Sequence, residues 1–356
     1  MKKFILFFAI VAFAFVACQE NSDEVIPTQE TLAVDMSDFY VYTDDDDLSG
    51  KSANGANNDK CHSMKVLNQQ LKENPGLYKK MYNIEKHTRQ FIAAKKPTNP
   101  GGGNGGGGGG GTDPGTDPVD DVLGVINIPV YFHVVYSNAS ENVSDTQIAD
   151  QMKVLNDDFR KANNDINQVP SEFSGVAADS EITFTYAGTF RHQNSKTSWG
   201  TNNTVKTTYP PITPETHLNI WVCDIGGGIL GYAQFPGGSS STDGVVLLYS
   251  SLPGGSAAPY NEGRTATHEV GHYLNLRHIW GDGRCRQDDF VADTPTSDGA
   301  NYGCPSYPTV NCKSTDMTMN YMDYTDDACM YMFSEGQKSR MRAIFASGGI
   351  RESLAQ

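Results

Sequence analysis

The sequence predicts an α/β (α+β) domain over residues 121–356, with a mixed twisted sheet packed on a backing helix and on a second, histidine-bearing helix. Short apolar or β-branched segments separated by Gly and Pro predict the strands; they are GVINIPVYFHVVY, EITFTYAG, HLNIWVCDI, LGYAQFP and GVVLLYS. An apolar stripe at helical spacing in SDTQIADQMKVLNDDFRKAN predicts the backing helix. Four of the seven cysteines follow the second helix, which indicates a loop-rich, disulfide-bonded carboxyl-terminal subdomain.

Residues 1–18 predict an export signal. Two lysines precede an apolar run from Phe4 to Ala17 that is too short to span a membrane comfortably. The run that ends at Cys18 resembles a bacterial lipobox, which would make Cys18 a lipidated amino terminus at the outer membrane or cell surface. A plain secretory signal is the alternative.

Composition divides the rest of the chain. Met64, Leu67 and Leu71 recur at helical spacing and predict an amphipathic helix, which a second one follows after a break near Pro75. Such helices need a partner surface, whereas the Gly- and Pro-rich stretch after them has no side chains to bury. We therefore expect a disordered acidic segment, a helical segment, a linker and a globular domain at residues 19–58, 59–96, 97–120 and 121–356.

Capping signals mark two helices of the domain. Ser144 is a predicted N-cap with Gln147 in the capping-box position. Ser334 can cap the last helix, SEGQKSRMRAIFA.

The formal net charge of −15 argues against nucleic acid and anionic membrane surfaces as partners, because both require basic patches. We expect contact with a membrane only through the lipid on Cys18.

The stretch HEVGHYLNLRH predicts a metal site. His268 and His272 are four residues apart, so a helix places them on one face. His278 follows six residues later and gives a third ligand once the helix has ended. Glu269 can reach a water at the open fourth position of the metal. Zinc would lower the pKa of that water to about 7.

The second half of the site carries a family resemblance. HEVGHYLNLRH followed by NYMDY resembles the metzincin zinc proteases, and LNDDF, LGYAQFP and HIWGD extend the likeness to their pappalysin family over roughly Cys61 to Phe345. The resemblance implies a metzincin-type catalytic domain, with LGYAQFP as a substrate-pairing edge strand. It also implies that Met322 forms an apolar floor beneath the zinc ligands and that Tyr324 stabilises the tetrahedral intermediate.

Asn275 departs from the metzincin pattern, which has glycine at this position. The chain must reverse there toward the third ligand, which predicts a positive φ. Asn tolerates the left-handed region better than other non-glycine residues, so we expect an intact site whose strain could lower stability or zinc affinity.

The cysteines after the metal motif form an even set, as expected for an exported protein. The sequence allows three pairings, and the family resemblance implies Cys285 with Cys312 and Cys304 with Cys329. Structural zinc bound by these four is an alternative, although the spacing lacks C-x-x-C. Cys223 lies within an apolar strand and is expected to be a buried free thiol.

Cys61 opens the helical pro-segment. Related proteases use such a cysteine as a switch whose thiolate takes the fourth zinc position, and zinc accepts thiolate readily. The family pattern has glycine after this cysteine, whereas this chain has His62. An unpaired cysteine with no function is the alternative.

The segment CRQDDFVADTPTSD is rich in oxygen donors, which calcium prefers. Related proteases hold calcium near here, which makes Asp289, Asp293 and Thr294 candidate ligands. A solvated acidic loop is the alternative.

These features predict an exported zinc endopeptidase made as a latent zymogen, which would act on proteins or peptides. The pro-segment would act as an intramolecular inhibitor until a cut near Lys95 and Lys96 releases it. A non-catalytic surface lipoprotein, or binding module, on a protease-like scaffold is the alternative. An exopeptidase or amidase would use the same metal chemistry, but an extended edge strand favours longer peptides.

Overall fold

The computed structural model describes residues 32–42, 60–95 and 121–356. From Ala33 onward these residues belong to one structural unit. The expected export signal, Cys18, the linker at 97–120 and Lys96 lie outside the described residues. No helix within the described ranges is long and apolar enough to cross a membrane.

Seven helices and seven strands make up the described parts of the chain, apart from short 3₁₀ turns. The helices are α1 Ser63–Glu73, α2 Gly76–Ala94, α3 Asp145–Phe159, α4 Ser171–Ser174, α5 Thr204–Thr208, α6 Arg264–Tyr273 and α7 Glu335–Ala343. The strands are β1 Ile126–Tyr136, β2 Ile182–Gln193, β3 Leu218–Cys223, β4 Gly231–Ala233, β5 Val245–Leu248, β6 Val310–Asn311 and β7 Ser314–Thr315. All five predicted strand segments of the domain are confirmed.

The main sheet has five strands in the order β2-β1-β3-β5-β4. β1 pairs in parallel with β2 and β3, and β3 pairs in parallel with β5. β4, formed by the segment LGYAQFP, lies at one edge and is antiparallel to β5. The sheet is therefore mixed, as predicted, and its β4 edge has no further strand of the sheet beside it.

The two faces of the sheet are buried in different ways. Alternate residues of β1 and β3, among them Phe132 and Ile220, join α3 and α6 in the main core. The opposite face carries Trp221 and Cys223 in a second apolar cluster. Cys223 is a buried free thiol, as expected. Burial raises the pKa of this thiol, so it stays protonated and unreactive.

The predicted caps are present. The Ser144 hydroxyl accepts from the Gln147 amide and the Gln147 side chain accepts from the Ser144 amide, so α3 begins with a full capping box. Ser334 and Gln337 form the same arrangement at α7. The loops between α6 and α7 carry two disulfides, Cys285–Cys312 and Cys304–Cys329, which is the pairing that the family resemblance implied.

The amino-terminal helical segment, residues 60–95, packs on this domain through both of its helices. α1 contacts β4 and α2 contacts α7. Met64, Leu67 and Leu71 share an apolar cluster with Phe235 of the domain. The partner surface that the amphipathic pattern required is therefore the domain of residues 121–356.

A buried ion pair fastens α2 to α7. Both Glu85 oxygens accept from the Arg340 guanidinium, at 3.1 and 2.8 Å, and Arg89 donates to the same carboxylate at 2.8 Å. Burial alone would raise the pKa of Glu85, but the two arginines outweigh it and lower the pKa from 4.5 to about 2. Because the folded-state pKa is depressed, the pair stabilises the fold fully above about pH 4.5, and this contribution is lost as the pH falls through about 2.

Residues 32–42 correct one expectation. They lie inside the stretch predicted to be disordered, yet Val41 is buried and Phe39 packs on rings of α2 and on Phe290. The Tyr40 hydroxyl donates to the carbonyl of Asp288 at 2.7 Å. A few aromatic anchors order this acidic stretch, which its overall composition did not indicate.

We expect Glu85→Ala to lower the free energy of unfolding by about 3–5 kcal/mol at pH 7, because the variant leaves Arg340 buried without its carboxylate. Asp157→Ala is the matched control. It breaks the exposed Lys153–Asp157 pair and should cost less than about 1 kcal/mol. Denaturant unfolding, with hydrogen exchange in α2, measures both. Equal losses in the two variants would contradict a fastening role for Glu85.

Candidate metal centre

The metal motif lies on a wholly buried helix. All ten residues of α6 are buried, and His268 and His272 occupy successive turns. The helix ends at Tyr273, and Asn275 has φ 77°, the left-handed backbone that was expected. The Leu276 amide donates to the Gly271 carbonyl at 3.0 Å across this reversal. The chain thereby turns back and delivers His278 to the helix face.

The three histidines converge through their Nε2 atoms. The Nε2 of His272 lies 3.1 Å from that of His268 and 3.1 Å from that of His278. The Cys61 Sγ joins them, and all four ligand atoms lie within 4.8 Å of one another. Among the described residues, no other group of at least three His, Cys, Asp or Glu side chains is placed to hold a metal ion.

The hydrogen bonds of the three imidazoles fit a bound cation. Each Nδ1 faces an acceptor: the Tyr321 carbonyl at 2.7 Å for His268, the Leu276 carbonyl at 2.8 Å for His272 and the Asp282 carboxylate at 2.5 Å for His278. Each Nδ1 therefore carries the proton, and the lone pairs on Nε2 point at one another.

Protonation of His268 or His272 does not relieve this convergence. Burial is the main cause that lowers the pKa of His268 to about 3 and holds that of His272 well below 6.5. Neutral imidazoles with facing lone pairs repel unless a cation lies between them. The donor set, imidazole nitrogen with thiolate, is the one that zinc prefers.

Met322 lies beneath the metal helix. A Cβ added to Gly271 would come within 2.4 Å of the Met322 Sδ, so only glycine lets the methionine pack against this turn. The Met322 carbonyl also accepts from the amide of Ile279, next to the third histidine. Met322 is fully buried and forms an apolar floor under α6, in the position that the family resemblance implied.

Glu269 is engaged by the amino-terminal helical segment. Its Oε2 accepts from the Ser63 hydroxyl at 2.7 Å and lies 3.5 Å from the Cys61 Sγ. The Ser63 hydroxyl in turn accepts from the Ala233 amide of β4 at 2.7 Å. Gly231 lies directly over this carboxylate, since a Cβ there would be 2.8 Å from the Glu269 Cγ.

Tyr324 stands at the same cleft. Its ring lies against those of His278 and His268, with centroids 4.9 and 5.6 Å apart. Its hydroxyl donates to the Cys61 carbonyl at 3.3 Å. The structure thus brings together the three histidines, Glu269, Met322 and Tyr324, with Cys61 over them.

Cys61 reaches the centre because its backbone pairs with the edge strand. Cys61 and Gly231 form a parallel bridge. The His62 amide donates to the Gly231 carbonyl at 3.1 Å, and the Leu230 amide donates to the Lys60 carbonyl at 2.8 Å. The segment therefore occupies the β4 edge that a peptide strand would need.

The calcium candidates lie apart from this cluster. The Asp289 carboxylate accepts from the Thr294 hydroxyl at 2.8 and 2.9 Å. The Asp293 carboxylate accepts from the Ser334 hydroxyl at 2.6 Å and from the Gly336 amide at 2.8 Å, at the start of α7. Protein donors hold these groups, and calcium binding stays a prediction.

Three residues of the site were missed from the sequence. Asp282, four residues after His278, lies in the HIWGD segment that was noted only for its family likeness. Gly231 had no signal beyond its place in the edge strand. Ser63 had none, because only the folded chain brings it to Glu269.

The chain is similar to metalloproteases in sequence and in structure. A family model described as pregnancy-associated plasma protein-A matches residues 213–346. An extracellular metalloprotease of Pyricularia oryzae is 35% identical over 233 residues, which cover 62% of this chain and 75% of that protein. Extracellular metalloprotease 1 of Coccidioides posadasii is 35% identical over 237 residues, covering 63% and 79%.

Two solved structures extend the comparison. Mature mirolysin of Tannerella forsythia, in complex with a cleaved peptide, is 44% identical with a TM-score of 0.63, covering 65% of this chain and 95% of that chain. A Tannerella forsythia promirolysin mutant is 36% identical with a TM-score of 0.69, covering 83% and 96%. The likeness to the precursor form therefore spans more of this chain than the likeness to the mature form.

We expect Asn275→Ala to lower stability by about 1–2 kcal/mol, because a Cβ without a local polar group is strained in the left-handed region. Asn275→Gly should retain stability and zinc content, since glycine adopts this backbone freely. Thermal unfolding and the zinc-to-protein ratio measure both. Equal loss in the two variants would assign the effect to the Asn275 amide, which donates to Thr88 at 3.4 Å, and would contradict the backbone explanation.

Proposed function

Because the chain belongs to the pappalysin family of metzincin metalloproteases, we propose that it is an exported zinc endopeptidase made as a latent zymogen. The observation that carries this proposal is the convergence of three imidazole Nε2 atoms beside Glu269, with the amino-terminal helical segment lying across them. The ligands would be His268, His272 and His278 in the active form, with Cys61 as the fourth in the latent form.

When bound, zinc supplies a Lewis acid that polarises the scissile carbonyl and acidifies a water. The chain's own groups then handle protons and charge. Glu269 is buried next to the histidines, so it can take a proton from the attacking water and return it to the leaving amine. The Tyr324 phenol can donate to the oxyanion that develops on the substrate, which stabilises the transition state more than the ground state.

The β4 edge supports an extended peptide as the substrate. Its backbone groups at Leu230 and Gly231 already pair with residues 60–62, so they can pair with a substrate strand once this segment leaves. Such pairing does not require a free peptide terminus, which favours an endopeptidase. The relative mirolysin has been solved with a cleaved peptide.

Latency in this proposal rests on three contacts. Cys61 places its Sγ at the ligand cluster, Ser63 hydrogen-bonds to the general base, and the Cys61 carbonyl accepts from Tyr324. Each contact occupies a group that catalysis needs. The segment therefore blocks the metal position, the base and the oxyanion donor together.

Activation would require a cut after the helical segment. The predicted site includes Lys95, whose ammonium pairs with Asp121 at 2.6 Å and lies 4.4 Å from the Phe91 ring centroid. An activating protease would have to break these two contacts before it could bind the Lys95 side chain. If Cys18 carries a lipid, departure of the cut segment separates the mature enzyme from its anchor.

We expect Glu269→Ala to lower kcat/KM on blocked peptides by about 10²–10⁴-fold after removal of the pro-segment, because the general base is lost. A peptide library read by mass spectrometry measures cleavage and shows whether internal bonds are cut. Asp150→Ala, an exposed carboxylate on α3, is the control that should keep wild-type activity. Equal activity of wild type and Glu269→Ala would end the proposed mechanism.

We expect Cys61→Ala and Ser63→Ala each to relieve latency in part. A hydrogen bond to a charged group contributes about 1.5–3 kcal/mol, so loss of the Ser63 contact should raise the activity of the uncut protein by roughly tenfold or more. The measurement is the activity of each full-length variant divided by its activity after pro-segment removal.

The double variant should be more active before cutting than either single variant. Gln69→Ala, at an exposed position of α1, is the matched control and should stay as latent as wild type. Unchanged latency in Cys61→Ala would contradict the proposed cysteine switch. Unchanged latency in Ser63→Ala would contradict an inhibitory role for the Ser63–Glu269 hydrogen bond.

A further inference from the structure

The third histidine is held differently from the other two. His268 and His272 donate their Nδ1 protons to backbone carbonyls, whereas the His278 Nδ1 faces a carboxylate, that of Asp282, at 2.5 Å. Both side chains of this pair are buried, with exposures of 2% and 1%. His278 follows the end of α6, so no helix holds it in place.

The turn after His278 is shaped for this contact. The Trp280 ring stacks on the His278 imidazole, with centroids 4.3 Å apart and planes 3° from parallel. Gly281 and Asp282 then both adopt positive φ, 63° and 59°. A Cβ at Gly281 would lie 2.6 Å from the Asp288 backbone, so this turn also requires glycine. The reversal brings the carboxylate back to the ring of the histidine four residues earlier.

The Asp282 carboxylate is incompletely satisfied. Within the part of the chain that the structure describes, no hydrogen-bond donor reaches its Oδ2. Burying a carboxylate with one imidazole as its partner is costly, because its charge is poorly compensated and its second oxygen has no donor. A cation on the far side of the same ring, at Nε2, would compensate the charge through the imidazole.

We propose that Asp282 is the positioning residue of the metal centre: it fixes the orientation and tautomer of His278 and supplies the negative charge that strengthens metal binding. This inference rests on the proposed zinc site. Carboxylate partners of metal-binding histidines raise the basicity of the ring, and their loss typically costs 10–100-fold in metal affinity.

The test is a zinc titration of the full-length protein, after metal removal, in competition with a chromophoric chelator. Asp282→Asn keeps the shape and one acceptor but removes the charge, and we expect its zinc affinity to fall by about tenfold. Asp282→Ala also loses the acceptor and should fall further, toward about 100-fold. Thermal unfolding at saturating zinc verifies that each variant is folded.

Asp316→Asn is the matched control. Asp316 is also fully buried and also has one carboxylate oxygen without a hydrogen-bond partner among the described residues, but it pairs with Asn311 rather than a histidine. Its zinc affinity should stay within about twofold of wild type. The visible absorption of the Co²⁺-loaded protein gives a second readout, which should change in the Asp282 variants and not in Asp316→Asn.

A zinc affinity of Asp282→Asn within about twofold of wild type would overturn the proposal, and so would an equal loss in Asp316→Asn. Asp282→Asn decides the matter if Asp282→Ala does not fold. These outcomes are separate from a failure of the proposed function. Zinc-loaded protein that shows no Glu269-dependent cleavage after removal of the pro-segment would refute the protease proposal while leaving the ratio of zinc affinities measurable.

Discussion

The facing lone pairs of three buried imidazoles are the constraint on which the rest of the domain depends. A helix can supply two of them, but a third ring must come from a chain that has left the helix, and this forces the reversal at Asn275. The Nδ1 atoms then need acceptors at fixed places, which the Tyr321 and Leu276 carbonyls and Asp282 provide. Met322 fills the space beneath, where Gly271 has no side chain. Each of these features is costly or strained alone, and together they define one cation position.

The amino-terminal helical segment contacts the same site through three of its own groups. It brings a thiol to the ligand cluster, a hydroxyl to Glu269 and a backbone strand to the β4 edge. In the proposed mechanism the attacking water contacts the metal and Glu269, and the peptide substrate pairs with the β4 edge, so the segment makes the same three kinds of contact. An element that imitates all three must be held in register, and the buried Glu85–Arg340 pair and the cluster around Met64 and Phe235 provide that hold at a distance from the cleft.

Part of this arrangement could be predicted from the sequence because it depends on the spacing of nearby residues. The four- and six-residue intervals from His268 to His278, the caps at Ser144 and Ser334 and the positive φ of Asn275 all follow from rules that act within a few residues. The partner of Glu85 is 255 residues away and that of Ser63 is 206 residues away, so no local pattern could identify them. The order of residues 32–42 is not predictable for a related reason: their acidic composition favours disorder, and the surface that binds their aromatic residues exists only in the folded domain.

The described residues on either side of the proposed cut lie close together. Lys95 pairs with Asp121, and the same Asp121 carboxylate accepts from the Arg342 Nε at 2.7 Å, so the last described residue before this stretch and the first one after it meet at one buried charge cluster. A cut between them would leave the contacts described above in place, since each of them joins residues outside 96–120. A cut raises only the entropy gained on release, while the β4 pairing, the Glu85 pair and the apolar cluster still oppose it. If the segment is the inhibitor that we propose, the cut alone is therefore insufficient for activation, because the cut segment must still leave these contacts.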